Sequence, residues 1–257
     1  YEYEPLWCDD DFMYTPDTDG SVKLKKPWQW NHTPDNSLWS VTEQPGTLRI
    51  RSGKLSTNLV QAVNTLTQRT VGPECAAEVT LCGKELKDGD YAGLCALQGT
   101  YGFIGLTREN GQLSLVVMKP TETGQPAWMG SVDAEPGTEV ARIPAEGETI
   151  TLRLTCDFTG GRDTAEFFFR TEGAEQTAFT KLGEPHKLYF RLDHFVGCRF
   201  GLFLFSTEET GGEILFYCNR DGLFSLDVVK GIDDRRASYD DAEERRALEQ
   251  TAKKLFG

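Results

Sequence analysis

The 257-residue chain carries 27 Lys plus Arg against 40 Asp plus Glu, a formal net charge of −13. A chain this acidic repels a phosphate backbone, and the sequence shows no basic stripe. We therefore expect no nucleic-acid partner. No apolar run approaches the roughly 20 residues that span a bilayer, so we expect no membrane partner either. The chain begins at Tyr1 rather than Met, which suggests an excised module or a processed form.

Residues 1–230 alternate short β-type runs with Gly, Pro, Asn and Asp turns. Residues 46–51, 77–81, 112–117 and 149–155 show the period-two alternation of strands with one buried face. Asn110-Gly111 before one of these runs is a hairpin signal. Residues 199–205 are apolar on both faces, as in a strand between two layers. The pattern predicts one all-β domain over residues 1–230, an antiparallel two-sheet β-sandwich.

The last segment has a different composition. Residues 231–257 alternate charge signs in blocks suited to i,i+4 pairing, and Ser238 can cap a helix there. We expect a short, charged helical tail or a linker to another module. A specific partner-binding helix is the alternative, and few apolar residues support it.

The seven cysteines are scattered, with no C-x-x-C pair, so we expect free thiols rather than a disulfide framework. None of the three histidines shows metal-ligand spacing with a cysteine, which argues against zinc. The sequence does not specify where the protein resides. Free thiols fit a bacterial cytoplasm or secretion from an anaerobe.

Recognisable catalytic patterns are absent from the sequence. Sandwich enzymes that cut polysaccharides need paired carboxylates, often as Glu-x-Asp-x-x-Glu on one strand, and no such run occurs. The densest acid clusters, at 9–11, 88–90 and 208–209, have turn-like contexts. We therefore expect a non-catalytic domain, with an unrecognised hydrolase or lyase as the weaker alternative.

Aromatic and amide side chains are abundant instead. Indole rings stack on the apolar faces of sugars while amides pair with hydroxyl groups, so clusters of both are candidates for sugar binding. The alternative is that the tryptophans belong to the core and that Arg69 and Gln98 are ordinary solvated surface. The candidate carbohydrate-binding residues are Trp28, Gln29, Trp30, Asn31, His32, Gln68, Arg69, Tyr91, Gln98, Tyr101 and Trp128.

Three of these segments carry a family likeness. Trp28-Gln29-Trp30-Asn31-His32-Thr33-Pro34-Asp35-Asn36, then residues 64–70 (NTLTQRT) and 88–94 (DGDYAGL), follow in a recognisable order. In this order they resemble the C-terminal module of family 43 glycoside hydrolases, the β-xylosidases and arabinofuranosidases. The resemblance is specific over residues 5–120 and looser to about 230. It implies a concanavalin A-like jelly roll.

The resemblance also implies a function. Catalysis in that family belongs to a preceding β-propeller, so this module is expected to be non-catalytic. Some similar modules bind β-1,4-linked xylan or xylo-oligosaccharides, and others pack on the β-propeller catalytic domain and complete its active-site rim. We take xylan binding as the first expectation and the accessory role as the alternative.

The family also often holds a structural calcium ion, which implies Asp10 and Asp11 as ligands. The family's late Ala-Asp-Phe-Asp pattern is replaced by residues 213–219 (EILFYCN), so the second carboxylate of such a site is missing.

Overall fold

The computed structural model describes residues 6–121, 135–171, 178–189 and 197–217, and the backbone of 225–228. Trp128, Cys218 and the tail at 231–257 lie outside the described residues. In the described part, no helix has the length and hydropathy that crossing a bilayer requires.

Two antiparallel sheets make up the described structure, which confirms the predicted all-β sandwich. The first sheet, whose strand order is β1-β4-β14-β6-β7-β8-β9, contains β1 (Gln29–Trp30), β4 (Leu66–Arg69), β6 (Asp90–Leu97), β7 (Gly102–Glu109), β8 (Gln112–Lys119), β9 (Thr138–Pro144) and β14 (Arg199–Ser206).

The second sheet runs in the order β12-β11-β10-β5-β15-β3-β2, with β13 paired to β11 and β16 paired to β5. Its strands are β2 (Trp39–Ser40), β3 (Thr47–Arg51), β5 (Glu74–Cys82), β10 (Thr149–Asp157), β11 (Thr164–Thr171), β12 (Thr180–Lys181), β13 (His186–Lys187), β15 (Glu213–Tyr217) and β16 (Ser225–Val228).

The main core lies between the sheets, and strand alternation fills it. In β10, Ile150, Leu152 and Leu154 are at most 1% exposed, whereas Arg153 between them faces outward and pairs with Glu78. The first sheet contributes the inward side chains of its central strands in the same way. The apolar face that alternation predicted is therefore the face that packs.

A second apolar layer covers part of the opposite, outer face of the first sheet. A short 3-10 helix at Leu59–Gln61 contributes to it, and Asn58 caps that helix by accepting from the Val60 N–H at 3.0 Å. This outer aromatic layer explains why β14 is apolar on both faces. It consists of Leu59, Ala62, Cys95, Leu97, Tyr101, Phe103, Val116, Met118, Phe203 and Phe205.

Glycine is required where β6 and β7 approach each other most closely. Gly93 lies opposite Gly105, and a Cβ on Gly93 would come 2.2 Å from the Ile104 carbonyl oxygen. Because that neighbour is backbone in the middle of the sheet, it cannot swing away.

We expect Gly93→Ala to lower the free energy of unfolding by about 3 kcal/mol or more, since overpacked cores must displace their neighbours. Chemical denaturation monitored by tryptophan fluorescence measures the change. Gly72→Ala is the control, because a Cβ there meets nothing within 4 Å. Equal stability of the two variants would contradict this account of the strand spacing.

Candidate functional site

Polar side chains gather on the outer face of the first sheet beside the outer aromatic layer. Residues paired across antiparallel strands share a face. The register pairs Gln29 with Thr67, Thr67 with Gly201, and Arg69 with Arg199. We call this region the polar quadrant, and its members are Gln29, Asn31, Thr65, Thr67, Arg69, Arg199 and Gly201.

The local sequence explains why β4 faces this way. Leu66 and Gln68 point into the sandwich, so Thr67 and Arg69 between and after them point outward. The edge strand β1 follows the same register, and the Asn31 N–H continues it by donating to the Thr65 carbonyl at 2.9 Å. Thr67 Oγ1 donates to the Gln29 carbonyl at 2.8 Å, which fixes the edge strand on the quadrant.

The two arginines give the quadrant its electrostatic character. Arg199 is only 8% exposed, and its Nη1 donates to Thr67 Oγ1 at 3.3 Å. Its Nε and the buried Thr65 Oγ1 have no hydrogen-bond partner. Burial, and then the charge of Arg69, lower the pKa of Arg199. Neither guanidinium pairs with a carboxylate anywhere in the described ranges. The site is thus a partly dehydrated cationic surface bordered by amides and hydroxyls.

The structure uses several predicted sugar-binding residues internally. Trp28 is 7% exposed, packs on Phe12 with ring centroids 6.1 Å apart, and donates its indole N–H to Asp10 Oδ2 at 2.6 Å. Gln68 faces inward and bonds the backbone N–H and carbonyl of Cys8, both at 2.9 Å. These positions correct the sequence expectation, because neither side chain has a surface left for a ligand.

The tyrosines are also covered. Tyr101 is 1% exposed and stacks on Phe103, while half-buried Tyr91 stacks on Phe205 at 5.1 Å. Both belong to or pack on the outer aromatic layer. The sequence analysis placed them on one ligand-binding face, and it did not reveal the apolar layer, including the 3-10 segment, to which their rings contribute.

Trp30 and His32 have intermediate positions. Trp30 packs against the main core and contacts Trp39, with centroids 5.0 Å apart, so its ring is half-buried. His32 is exposed, and its Nε2 lies 2.8 Å from the Val60 carbonyl oxygen. Of the predicted set, Gln29, Asn31 and Arg69 are the residues that the quadrant brings together.

A pocket of about 250 Å³ lies at the same end of the sheet. Gln98 lines it and donates Nε2 to Thr100 Oγ1 at 2.9 Å. Asp163 and Tyr189 also line it, and Tyr189 is 49% exposed. Among the described Phe, Tyr and Trp side chains, Tyr189 is the one with more than a third of its surface exposed. The pocket therefore combines a ring with an amide and a carboxylate.

The residues around Asp10 do not fit a calcium ion. The buried carboxylate accepts hydrogen bonds from the Phe12 N–H at 2.9 Å, the Trp28 indole and the Tyr14 hydroxyl. The Lys25 ammonium lies 3.3 Å from Asp10 and 3.7 Å from Asp11. Calcium requires six to eight oxygen ligands, whereas the groups around Asp10 are hydrogen-bond donors and a cation.

Burial, and then the hydrogen bond to Asp10, raise the pKa of the Tyr14 hydroxyl. The described residues contain no group of three ligating side chains suited to a metal.

Sequence reasoning missed Arg199, Thr65 and Tyr189. Arg199 had a readable signal, since it is a charged residue at the start of an otherwise apolar strand. Such a residue is costly to bury without a partner. Nothing local to Tyr189 indicates that its ring stays exposed while other aromatics do not.

The fold defines a concanavalin A-like sandwich. The family model for the beta-xylosidase C-terminal concanavalin A-like domain matches residues 19–217. The chain belongs to this family of C-terminal domains, which occur in family 43 glycoside hydrolases. In those enzymes the C-terminal domain is not the catalytic one.

Individual relatives agree with this assignment. A beta-xylosidase of Formosa agariphila is 31% identical over an alignment covering 41% of this chain and 22% of that protein. A bifunctional GH43-CE protein of Bacteroides eggerthii superposes with a TM-score of 0.71, at 32% identity over 85% of this chain and 25% of that one.

An engineered GH43 glycoside hydrolase with endo-xylanase and exo-arabinofuranosidase activity gives a TM-score of 0.74 at 25% identity, covering 89% of this chain and 42% of that one. The chain thus spans less than half of the length of these relatives.

We expect Asp10→Ala to lower the free energy of unfolding by about 3 kcal/mol, because it leaves buried donors without their acceptor. Asp11→Ala is the control, with an expected change within about 0.5 kcal/mol, because this carboxylate is about half exposed. Thermal unfolding of both variants measures the difference. Calcium or EDTA should leave the Tm of the unmodified chain unchanged, and a calcium-dependent rise would contradict the donor assignment around Asp10.

We expect Arg199→Met to raise the free energy of unfolding by about 1 kcal/mol, because an apolar side chain removes a buried charge from beside Arg69. Arg153→Met is the matched control. Arg153 is ion-paired with Glu78, so its replacement should destabilise the chain. Urea denaturation at constant pH compares them. A stability loss for Arg199→Met as large as that of the control would mean that Arg199 is an ordinary structural residue.

Proposed function

We propose that this chain is the accessory, non-catalytic domain of a xylan-active family 43 glycoside hydrolase. In this role it packs on the β-propeller catalytic domain and completes the rim of its active site. The observation that carries the proposal is the internal use of Trp28, Gln68 and Tyr101. With these groups engaged in the fold, the predicted residues that the structure describes do not form a flat sugar-stacking surface.

The positions of the acidic clusters support a non-catalytic role. Asp10 holds the N-terminal segment through the contacts described above. Asp90 is buried and accepts from the Lys87 N–H at 2.7 Å and from the Ser206 hydroxyl. Asp88 accepts from the Gly111 N–H at 2.9 Å. These carboxylates fix turns and segments, so they are not an acid pair facing an open cleft.

The test compares the parent hydrolase with and without this domain. We expect deletion to reduce turnover of aryl xylosides or arabinosides at least tenfold and to lower the Tm of the catalytic domain. Adding the separately purified chain should restore part of the activity. Unchanged turnover and Tm after deletion would exclude the accessory role.

A second function, xylan binding, is supported by the pocket beside Tyr189. An exposed phenol ring next to an amide and a carboxylate is a common arrangement for holding a pyranose. Titration calorimetry of the chain with neutral xylotetraose tests this function. Binding should be lost in Tyr189→Ala and retained in Tyr189→Phe, which keeps the ring. An unaltered affinity in Tyr189→Ala, or no heat with the unmodified chain, would exclude this pocket as a xylan site.

A further inference from the structure

The Arg69–Arg199 pair has no carboxylate partner among the described residues, whereas several other arginines of the two sheets have one. Arg49 pairs with Glu43, Arg51 with Glu213, and Arg142 with Glu139. The chain has 40 acidic residues, yet none of those described lies against the pair. Arg199 as a residue is 8% exposed, and a largely buried arginine next to a second one is unfavourable unless an anion joins their guanidinium groups.

The surroundings of the pair indicate the size and chemistry of that anion. Gly201 lies in the tightly packed floor of the quadrant, where a Cβ would meet Cys95 Sγ at 2.8 Å. Thr65 and Thr67 are fully buried in this floor, whereas Gln29 presents an exposed side chain on the same face. An exposed amide beside two guanidinium groups matches a carboxylate attached to a ring that carries hydroxyl groups.

We propose that Arg69 and Arg199 bind the carboxylate of a uronic-acid residue on an acidic xylan-type oligosaccharide. The proposal rests on the xylan-type substrate class proposed above, and it adds a charged determinant to it. Arg199 supplies a fixed guanidinium held by Thr67, while exposed Arg69 closes on the other side of the carboxylate. A polyphosphate ligand is disfavoured, because one arginine pair on a chain of net charge −13 offers no continuous track.

The experiment titrates the chain with xylotetraose carrying one glucuronic-acid branch and with unbranched xylotetraose. We expect the branched sugar to bind at least tenfold more tightly at low salt, with the advantage shrinking as salt screens the carboxylate. Arg199→Met and Arg69→Met should each remove the advantage. Arg142→Met is the control, because Arg142 lies on the same sheet face but is already paired with carboxylates. The Tm of each variant verifies that it is folded.

The remaining outcomes separate this proposal from the functions on which it rests. Equal affinity for both sugars would overturn the role of the arginines but leave xylan binding standing. Competition by acetate as effective as that by glucuronate would overturn the sugar specificity. If neither sugar binds while Arg199→Met weakens association with the catalytic domain, the pair binds an acidic side chain of that domain, and the proposal is wrong.

Discussion

The arrangement of this domain depends on how the two faces of the first sheet are covered. Its inner face packs on the second sheet along its central strands, but its outer face is only partly covered by the outer aromatic layer. Strand β14 crosses that boundary: Phe205 and Phe203 lie within the layer, Gly201 marks its edge, and Arg199 lies beyond it. The outward-facing side chains of β14 therefore belong to the outer aromatic layer at one end of the strand and to the polar quadrant at the other. The order of these residues along β14 sets the boundary between the two regions.

Much of the fold could be predicted from the sequence, because the signals that determine it are local. The Asn110-Gly111 turn does join β7 to β8, and the alternation at 149–155 does place Ile150, Leu152 and Leu154 inward. Alternation predicts that Gln29 and Asn31 share a face, which the structure confirms. It also places Trp28 and Trp30 together, and both pack toward the main core.

The candidate site was less predictable, because alternation gives relative faces and not their surroundings. A polar residue such as Gln68 looks exposed in sequence, but a segment 60 residues earlier supplies its partner in the Cys8 backbone. The burial of Tyr101 likewise depends on distant strands and on the 3-10 segment near Leu59. Such contacts form only in three dimensions, so the residue types alone could not distinguish a ligand surface from a satisfied interior.

In the N-terminal segment, the family resemblance correctly identifies Asp10 as a notable residue but not the role that it has in this chain. Asp10 keeps the position that a calcium ligand would have, but its oxygens are taken by an indole, a phenol, an amide N–H and a lysine. The Lys25 ammonium also donates to the Asp9 carbonyl at 3.0 Å, so it contacts both backbone and carboxylate oxygens, as a bound metal ion would. A tethered ammonium requires no ion from solution, and it fixes residues 9–11 to the sandwich from within the chain.

The net charge of the domain limits what the polar quadrant can attract. At physiological salt, charges beyond about 8 Å are largely screened, so the acidic surface as a whole and the arginine pair act on different length scales. A long polyanion would meet the repulsive surface along its whole length, whereas a neutral chain with one carboxylate meets the arginines alone. Partner choice then depends on the spacing of negative charge along the ligand. The same reasoning applies to a protein partner, since a single acidic side chain within an otherwise neutral interface can reach the pair without opposing the field of the rest of the domain.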